Sequence, residues 1–190
     1  MLILMFTKII NYHQINLIKD ALIVFDIDET ILKFKDISQV WWDSNYNEYY
    51  RIYDIHSARQ KVLNKWIDII STTQPKILDE FKFNELLNQA NLLNCKIVFL
   101  TARDPMLAEI TKQNLDSCNI TINTDDIYYS KTKGTQLMEI LKKYNDIHNI
   151  IFIDDVKHNL DDVYNKFNDF NHDYQLHLYL MDHENINMEI

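Results

Sequence analysis

Runs of apolar residues alternate along the chain with segments in which apolar positions recur at helical spacing. Residues 22–25 are apolar throughout and lead into acidic side chains, and residues 97–100 form a similar run. Short continuous runs of this kind are typical of strands that are buried on both faces. The pattern predicts strands at residues 21–27, 96–101, 126–130, 149–155 and 175–181.

Amphipathic segments separate these strands. Within residues 56–70, the apolar side chains recur at the spacing of one helix face. Asp104 and Pro105 form a typical helix start, because aspartate accepts from free N–H groups and proline fits the first helical position. Further helices are predicted across residues 83–90, 134–144 and 160–167.

The order of these elements predicts an α/β fold with a doubly wound parallel sheet that helices cover on both faces. Residues 175–181 alternate leucines with His177 and Tyr179, which predicts an edge strand. The N-terminal run MLILMFTKII is broken at Lys8 and has no basic leader. It is too short to span a bilayer, so it predicts a packed helix or strand rather than a targeting signal, and no membrane association is indicated.

Polar side chains stand at the carboxyl ends of three of the predicted strands. They are Asp26 and Asp28, Thr101 and Arg103, and Asp154 and Asp155. Ligands of parallel α/β sheets bind beyond these strand ends. We therefore expect the six side chains to form one site.

Composition and charge narrow the function classes. The chain has 190 residues and a net charge of −9, which argues against binding to nucleic acid, since that requires a positive face. The two cysteines, Cys95 and Cys118, lack the spacing of a metal or redox motif. A reduced, cytoplasmic chain is expected, including the host cytoplasm if the source is viral or intracellular.

The predicted site suggests metal-dependent phosphoryl transfer. Up to four carboxylates in one crevice require a hard cation, and an all-oxygen site suits Mg²⁺. A carboxylate beside such an ion is able to attack phosphorus and form an aspartyl-phosphate. Thr101 and a lysine from the segment SKTKG, residues 130–134, are candidates to bind the phosphoryl group.

Four segments together resemble the motifs of the haloacid dehalogenase (HAD) superfamily. They are DIDET at 26–30, FLTAR at 99–103, a lysine in SKTKG, and FIDD at 152–155. The resemblance implies a HAD-like Rossmannoid fold. The sequence is also similar to a HAD branch of intracellular bacteria and giant viruses that is known mainly as a domain of unknown function, which implies no substrate.

The resemblance implies a role for each matched residue. Asp26 would be the nucleophile and a metal ligand, and Asp28 the general acid/base whose backbone carbonyl also reaches the metal. Thr101 would hydrogen-bond the phosphoryl group, as would Lys133, with Lys131 as the competing candidate. Asp154 and Asp155 would complete the Mg²⁺ site.

The resemblance assigns no single role to two residues that adjoin the motifs' key positions. Arg103 is a candidate for substrate contact, and a structural ion pair is the alternative. Glu29 has no role in this scheme and is expected to face solvent.

The acidic residue at position 28 is typical of the phosphatases of the superfamily, so a Mg²⁺-dependent phosphate-ester hydrolase that acts on a small phosphorylated substrate is favoured. A phosphotransferase or a protein phosphatase of the same fold is the first alternative. A catalytically idle HAD-fold binding module is the second. The oligomeric state stays open.

Residues 34–75 stand where HAD proteins insert a cap over the active site, which predicts a core domain at 1–33 and 76–190 and a small helical cap at 34–75. The segment is rich in aromatic residues, among them Trp41, Trp42 and Tyr46. These side chains either form the cap's own core or face the substrate, where they would stack on a ring or exclude water.

Overall fold

A parallel sheet runs through the centre of the protein. The computed structural model describes residues 6–35, 37–144, 146–169 and 173–182. The strands in these ranges are β1 Thr7–Ile9, β2 Leu22–Phe25, β3 Leu32–Lys33, β4 Lys76–Ile77, β5 Lys96–Thr101, β6 Ile127–Tyr129, β7 Asn149–Asp154 and β8 Gln175–Met181. Six of them form the parallel sheet in the order β1-β8-β7-β2-β5-β6.

Helices connect most of the strands. They are α1 Gln39–Tyr50, α2 Ile55–Thr72, α3 Glu80–Leu92, α4 Ala108–Ser117, α5 Lys133–Leu141 and α6 Lys157–Asn168. Asp104 caps a short 3-10 turn, Pro105–Leu107, that leads directly into α4, as the Asp-Pro pair predicts. The helix predicted across 134–144 ends earlier, at Leu141.

The two faces of the sheet carry separate hydrophobic clusters. Ile23 and Phe25 of β2 pack with side chains of α3 and α4, whereas Leu22 and Val24 pack with side chains of α5 and α6. All four β2 residues are fully buried. This explains the continuous apolar run, because neither face of the strand contacts water. The predicted doubly wound α/β fold is confirmed.

The prediction that residues 175–181 form an edge strand is wrong. β8 lies between β7 and β1, and Thr7–Ile9 pairs in parallel with its last three residues. Among the described residues, only these last three of β8 have an outer neighbour. The first residues of the strand are exposed or half-buried, which accounts for its polar alternation. The N-terminal run, predicted as helix or strand, contributes β1, and its residues 1–5 lie outside the described residues.

The segment between β3 and β4 forms an insertion of two helices, α1 and α2. β3 and β4 pair in antiparallel fashion at its base. Its side chains form a third hydrophobic cluster that includes Phe34, Trp66 and Ile70 and reaches Leu107 beyond β5. The division into a core domain and a cap at residues 34–75 stays a prediction.

Within the described ranges, none of the helices combines the length and the apolar character needed to cross a membrane.

Candidate active site

Three adjacent strands, β5, β2 and β7, bring the predicted site residues together. Phe25 of β2 is level with Phe99 of β5 and with Ile153 of β7. The next residue, Asp26, therefore lies beside Asp154, and its N–H donates to the Ile153 carbonyl at 2.9 Å. The parallel register thus converts three distant strand ends into one cluster.

The carboxylates of Asp26, Asp154 and Asp155 form a group that fits a metal ion. One oxygen from each lies within 4.8 Å of the others. Such an all-oxygen donor set suits a hard cation such as Mg²⁺. The Asp28 side chain is not in this group, so a metal contact through its backbone carbonyl stays a prediction.

Lys133 is buried between two of these carboxylates. Its Nζ donates to Asp26 Oδ1 at 2.5 Å and to Asp154 Oδ2 at 2.6 Å, and the side chain is 0% exposed. Burial alone lowers the pKa of a lysine, but the attraction of the two carboxylates outweighs it and raises the pKa of Lys133 above its usual value. The residue therefore stays charged. Lys131, the competing candidate, is exposed.

Two of the carboxylates, those of Asp26 and Asp155, hold their protons more tightly than usual. Burial raises the pKa of Asp26 to about 7, with Lys133 opposing the shift and Asp154 and Asp28 adding to it. Burial, followed by repulsion from Asp26 and Asp154, raises the pKa of Asp155 well above its ordinary range. A cation bound among these groups would oppose both shifts, because it attracts the ionised form of each carboxyl group.

The single glycine of the chain, Gly134, allows α5 to begin where it does. A Cβ atom at this position would lie 2.5 Å from the Asp162 carbonyl oxygen of α6. The Gly134 N–H also donates to the Asp162 carboxylate at 2.8 Å. Close contact between α5 and α6 thus requires glycine here, and this contact positions Lys133 at the start of α5.

Asp28 is held by a buried arginine. Arg103 donates from Nε to Asp28 Oδ2 at 2.8 Å and from Nη2 to Asp28 Oδ1 at 2.7 Å. Bidentate pairing of this kind fixes the plane of the carboxylate as well as its position. The structural ion pair, which the sequence left open as an alternative for Arg103, is present.

Arg103 is itself anchored between the core and the insertion. Its Nη1 donates to the Thr111 hydroxyl at 3.2 Å and to Asn114 Oδ1 at 2.9 Å. Asn114 in turn donates to the carbonyl of Ile70 in α2 at 2.9 Å. The two bonds to Asp28 and these two bonds from Nη1 together use four of the five guanidinium hydrogens. Substrate contact by Arg103 stays a prediction.

Thr101 ends β5 at the rim of the same site. It is almost fully buried, and its hydroxyl accepts from the Arg103 N–H at 3.2 Å. Within the part of the chain that the structure describes, the hydroxyl hydrogen has no acceptor, so the group is able to donate into the site.

Asn159 is a site residue to which the sequence pattern assigned no firm role. Its Nδ2 donates to both carboxylate oxygens of Asp154, at 2.9 and 3.1 Å. Together with Lys133 and the Val156 N–H, it fixes the orientation of this buried carboxylate. The sequence feature that could have identified Asn159 is its position five residues after Asp154, in the first turn of α6.

The prediction that Glu29 faces solvent is wrong. It is half-buried and lines the cavity beside Asp26 and Asp28. Burial raises its pKa to about 7, while Lys33 lowers it and Asp28 raises it. The turn after β2 causes this placement, because Glu29 adopts a φ of 56° and its N–H bonds back to the Leu32 carbonyl.

These side chains surround a cavity of about 260 Å³. Asp26, Asp28, Thr101 and Asp155 line it from the sheet, and residues of the insertion line it from the other side. The insertion contributes Phe34, Ile37, Ser38, Trp42 and Trp66.

The electrostatic balance of the site is negative. The carboxylates of Asp26, Asp28, Asp154 and Asp155 face one ammonium and one guanidinium group. When all four are ionised, the negative charges exceed the positive ones by two, before Glu29 is counted. A divalent cation would neutralise this excess.

Comparison with known proteins identifies a family without a described activity. The family model described as "Protein of unknown function (DUF2608)" matches residues 5–132 and 127–188. Among curated proteins, none matches the chain significantly.

Solved structures with a similar fold include two hydrolase types. The class C acid phosphatase from Bacillus anthracis matches with 17% identity and a TM-score of 0.48 over 88% of this chain and 71% of that chain. Its tungstate-bound form matches with a TM-score of 0.46, 17% identity and coverages of 90% and 72%. A haloacid dehalogenase-like hydrolase from Xanthomonas campestris matches with 11% identity, a TM-score of 0.47 and coverages of 73% and 75%. At these scores and identities, the likenesses assign no activity to this chain.

Proposed function

We propose that this chain, which belongs to the family described as "Protein of unknown function (DUF2608)", is a Mg²⁺-dependent phosphate-ester hydrolase. The main support is the position of Asp26, a buried carboxylate that ends the central strand and lines a cavity. Lys133 donates to one of its oxygens and Asp154 and Asp155 lie beside it. The four motifs that resemble the HAD superfamily converge on this residue.

In the proposed first step, a carboxylate oxygen of Asp26 forms a bond to phosphorus while the bond from phosphorus to the leaving alcohol breaks. Lys133 donates to Oδ1 of Asp26, which leaves Oδ2 as the attacking oxygen. Asp28 enters this step protonated and gives its proton to the oxygen of the departing alcohol. The product on the protein is an aspartyl-phosphate at Asp26.

In the second step, Asp28 accepts a proton from a water molecule, and this water oxygen bonds to phosphorus. The bond to Asp26 breaks, inorganic phosphate leaves, and Asp26 is again a carboxylate. Arg103 supports both steps by holding Asp28 through two hydrogen bonds in one orientation. Thr101 would donate to a phosphoryl oxygen, and Lys133 would offset its charge.

The carboxylates of Asp26, Asp154 and Asp155, with the backbone carbonyl of Asp28, would hold Mg²⁺. The bound ion supplies positive charge that reduces the repulsion between the Asp26 carboxylate and the phosphate ester. The insertion is proposed as the cap, because Phe34, Trp42 and Trp66 reach the cavity and would limit the access of water.

Hydrolysis of 4-nitrophenyl phosphate tests the proposal. We expect turnover with Mg²⁺, its loss on chelation with EDTA, and its recovery when excess Mg²⁺ is added, because the ion offsets the negative charge of the site. Phosphoryl transfer to an added alcohol in preference to water would indicate a phosphotransferase instead. Absence of turnover across a panel of phosphate esters, together with absence of Mg²⁺ binding by calorimetry, would support the idle binding module and contradict the enzyme.

The pH dependence of metal binding provides an independent prediction. The folded-state pKa of Asp26, about 7, is above the ordinary value of a carboxyl group. The stabilisation from its proton is therefore complete at low pH and is lost as the pH rises through about 7. Mg²⁺ binds the ionised carboxylate, so it competes with the proton below this pH and binds without that competition above it.

We therefore expect Mg²⁺ to raise the Tm more at mildly alkaline pH than at mildly acidic pH. Thermal unfolding with and without MgCl₂ at both pH values measures the difference, with KCl at equal ionic strength as the control for screening. An equal or smaller rise at alkaline pH would contradict the assigned ligands.

A further inference from the structure

A second cavity adjoins the catalytic one. Its volume is about 280 Å³, and it shares Asp28, Trp42, Trp66 and Ala102 with the first cavity. Of its other six lining residues, three are apolar and come from α2 and from the 3-10 turn after β5, namely Leu63, Ile67 and Leu107, and three are charged, namely Arg103, Asp104 and Lys131. The two cavities therefore meet at the general acid/base and at two tryptophans of the insertion.

The two tryptophans form a continuous aromatic surface along both cavities. The ring centroids of Trp42 and Trp66 lie 6.1 Å apart, with 41° between the ring planes. Trp66 is held in the hydrophobic cluster of the insertion, whereas Trp42 is half-buried and packs against that cluster. The Arg103 guanidinium carbon lies 5.7 Å from the Trp66 ring centre, and Asp28 fixes the position of this guanidinium.

The wall formed by Trp42, Trp66 and Leu107 favours an apolar group. A sugar or glycerol skeleton against this wall would lose water at each hydroxyl that faces it, at a free-energy cost for each unpaired group. A ring instead gains from burial of its apolar surface and from contact with the indole rings. The volume is sufficient, since an apolar cavity of about 150 Å³ already binds benzene.

The position of Asp28 links this lining to the reaction. In the proposed function, Asp28 protonates the leaving-group oxygen, so that oxygen must lie within its hydrogen-bond reach. With the phosphoryl group in the first cavity beside Asp26 and Thr101, the carbon skeleton of the leaving alcohol extends past Asp28. The second cavity opens at this point, because Asp28 lines both.

We propose that the substrate is a phosphate monoester of an aromatic or bulky apolar alcohol, with its ring in the second cavity against Trp42, Trp66 and Leu107. This inference rests on the proposed function and adds the substrate class to it. A free aryl-type metabolite and a phosphotyrosine side chain both have this chemistry.

The test compares benzyl phosphate with glycerol 3-phosphate. Both are esters of primary alcohols, so the leaving groups are chemically similar and the comparison reports mainly the fit of the carbon skeleton. We expect kcat/KM to be about 10- to 100-fold higher for benzyl phosphate. O-phosphotyrosine and a phosphotyrosine peptide form a second arm, in which efficient turnover of the peptide indicates a protein source and turnover of the free esters alone indicates a metabolite.

Trp42 is the residue to vary, because it is half-buried and its removal does not open the main core. Trp42→Ala is expected to reduce the preference for benzyl phosphate over glycerol 3-phosphate by about tenfold, since the ring loses its main aromatic contact. Tyr50→Ala is the matched control. Tyr50 lies on the same helix and is exposed, and the two cavities do not include it. This variant should keep the wild-type preference.

A binding measurement supplements the kinetics. The chain has three tryptophans, at 41, 42 and 66, so intrinsic tryptophan fluorescence reports on the insertion alone. Benzylphosphonate, which has no ester bond to hydrolyse, should change this fluorescence at lower concentration than ethylphosphonate does, and Trp42→Ala should remove the difference.

The two proposals fail differently. Turnover of glycerol 3-phosphate that equals or exceeds that of benzyl phosphate, with a preference unchanged in Trp42→Ala, would overturn the substrate class and leave the hydrolase intact. Absence of turnover for every ester would overturn the hydrolase itself.

Discussion

Asp26→Asn is expected to lower the kcat for phosphate-ester hydrolysis by on the order of 10⁴-fold or more. The amide has nearly the shape of the carboxylate but no anionic oxygen with which to attack phosphorus. Initial rates with 4-nitrophenyl phosphate and excess Mg²⁺ measure the effect. A variant that retains a substantial fraction of wild-type kcat would show that Asp26 is not the nucleophile.

The stability of this variant separates a chemical effect from unfolding. Burial disfavours the ionised form of Asp26, as its pKa of about 7 shows. A neutral side chain therefore removes an unfavourable charge in the metal-free protein, and Lys133 keeps its hydrogen bond to Asp154. We expect a Tm at or above that of the wild type in EDTA above neutral pH. Asp68→Asn, the same chemical change at an exposed position of α2, is the control and should keep wild-type kcat.

Lys133→Met is expected to destabilise the metal-free protein by about 3–5 kcal/mol. Methionine fills most of the volume of the lysine stem, but Asp26 and Asp154 lose the cation that both contact. For a chain of this size, the loss corresponds to a fall in Tm of roughly 10 °C, which thermal unfolding in EDTA measures. Activity should fall as well, because the phosphoryl group loses a cation close to Asp26.

Two further measurements distinguish this electrostatic effect from simple loss of packing. Without the ammonium, the folded-state pKa of Asp26 rises further, so the deficit in stability should grow as the pH increases. Excess Mg²⁺ should restore part of the Tm, because the ion brings positive charge to the same carboxylates. A deficit that is independent of both pH and Mg²⁺ would contradict the assigned role.

Lys131→Met is the matched control for stability, since this lysine lies two residues earlier and is exposed. A larger loss of Tm in Lys131→Met than in Lys133→Met would show that the two lysines have been assigned in the wrong order.

Much of the sheet follows from local pattern. β2, β5 and β7 lie where continuous apolar runs predict them, because strands covered on both faces require apolar side chains on both. The meeting of Asp26, Thr101 and Asp154 also follows, since parallel strands have their carboxyl ends at one edge of the sheet. The position of β1 as the edge strand beyond β8 does not follow from local pattern. A pairing of three residues, Thr7–Ile9 with β8, has no local signature that marks its partner.

Within the site, the residue types are readable from the sequence but their pairings are not. The sequence indicates that Asp28 and Arg103 belong to the site, yet 75 residues separate the two partners of this ion pair. From its immediate neighbours Glu29 is predicted to face solvent, and the sequence pattern assigns no firm role to Asn159. Both face the cavity, because the turn after β2 and the first turn of α6 point toward it.

Sequence alone predicted the α/β class, the strand ends that contain the candidate chemistry, and a group of carboxylates that suits a cation. These properties depend on hydrophobic periodicity and residue type, which are local. The folded chain established that Lys133 rather than Lys131 lies between the carboxylates, that Arg103 binds Asp28, and that Trp42 and Trp66 line a second cavity. These contacts join residues far apart in the chain, so their geometry depends on how the strands pair and how the insertion packs on the sheet.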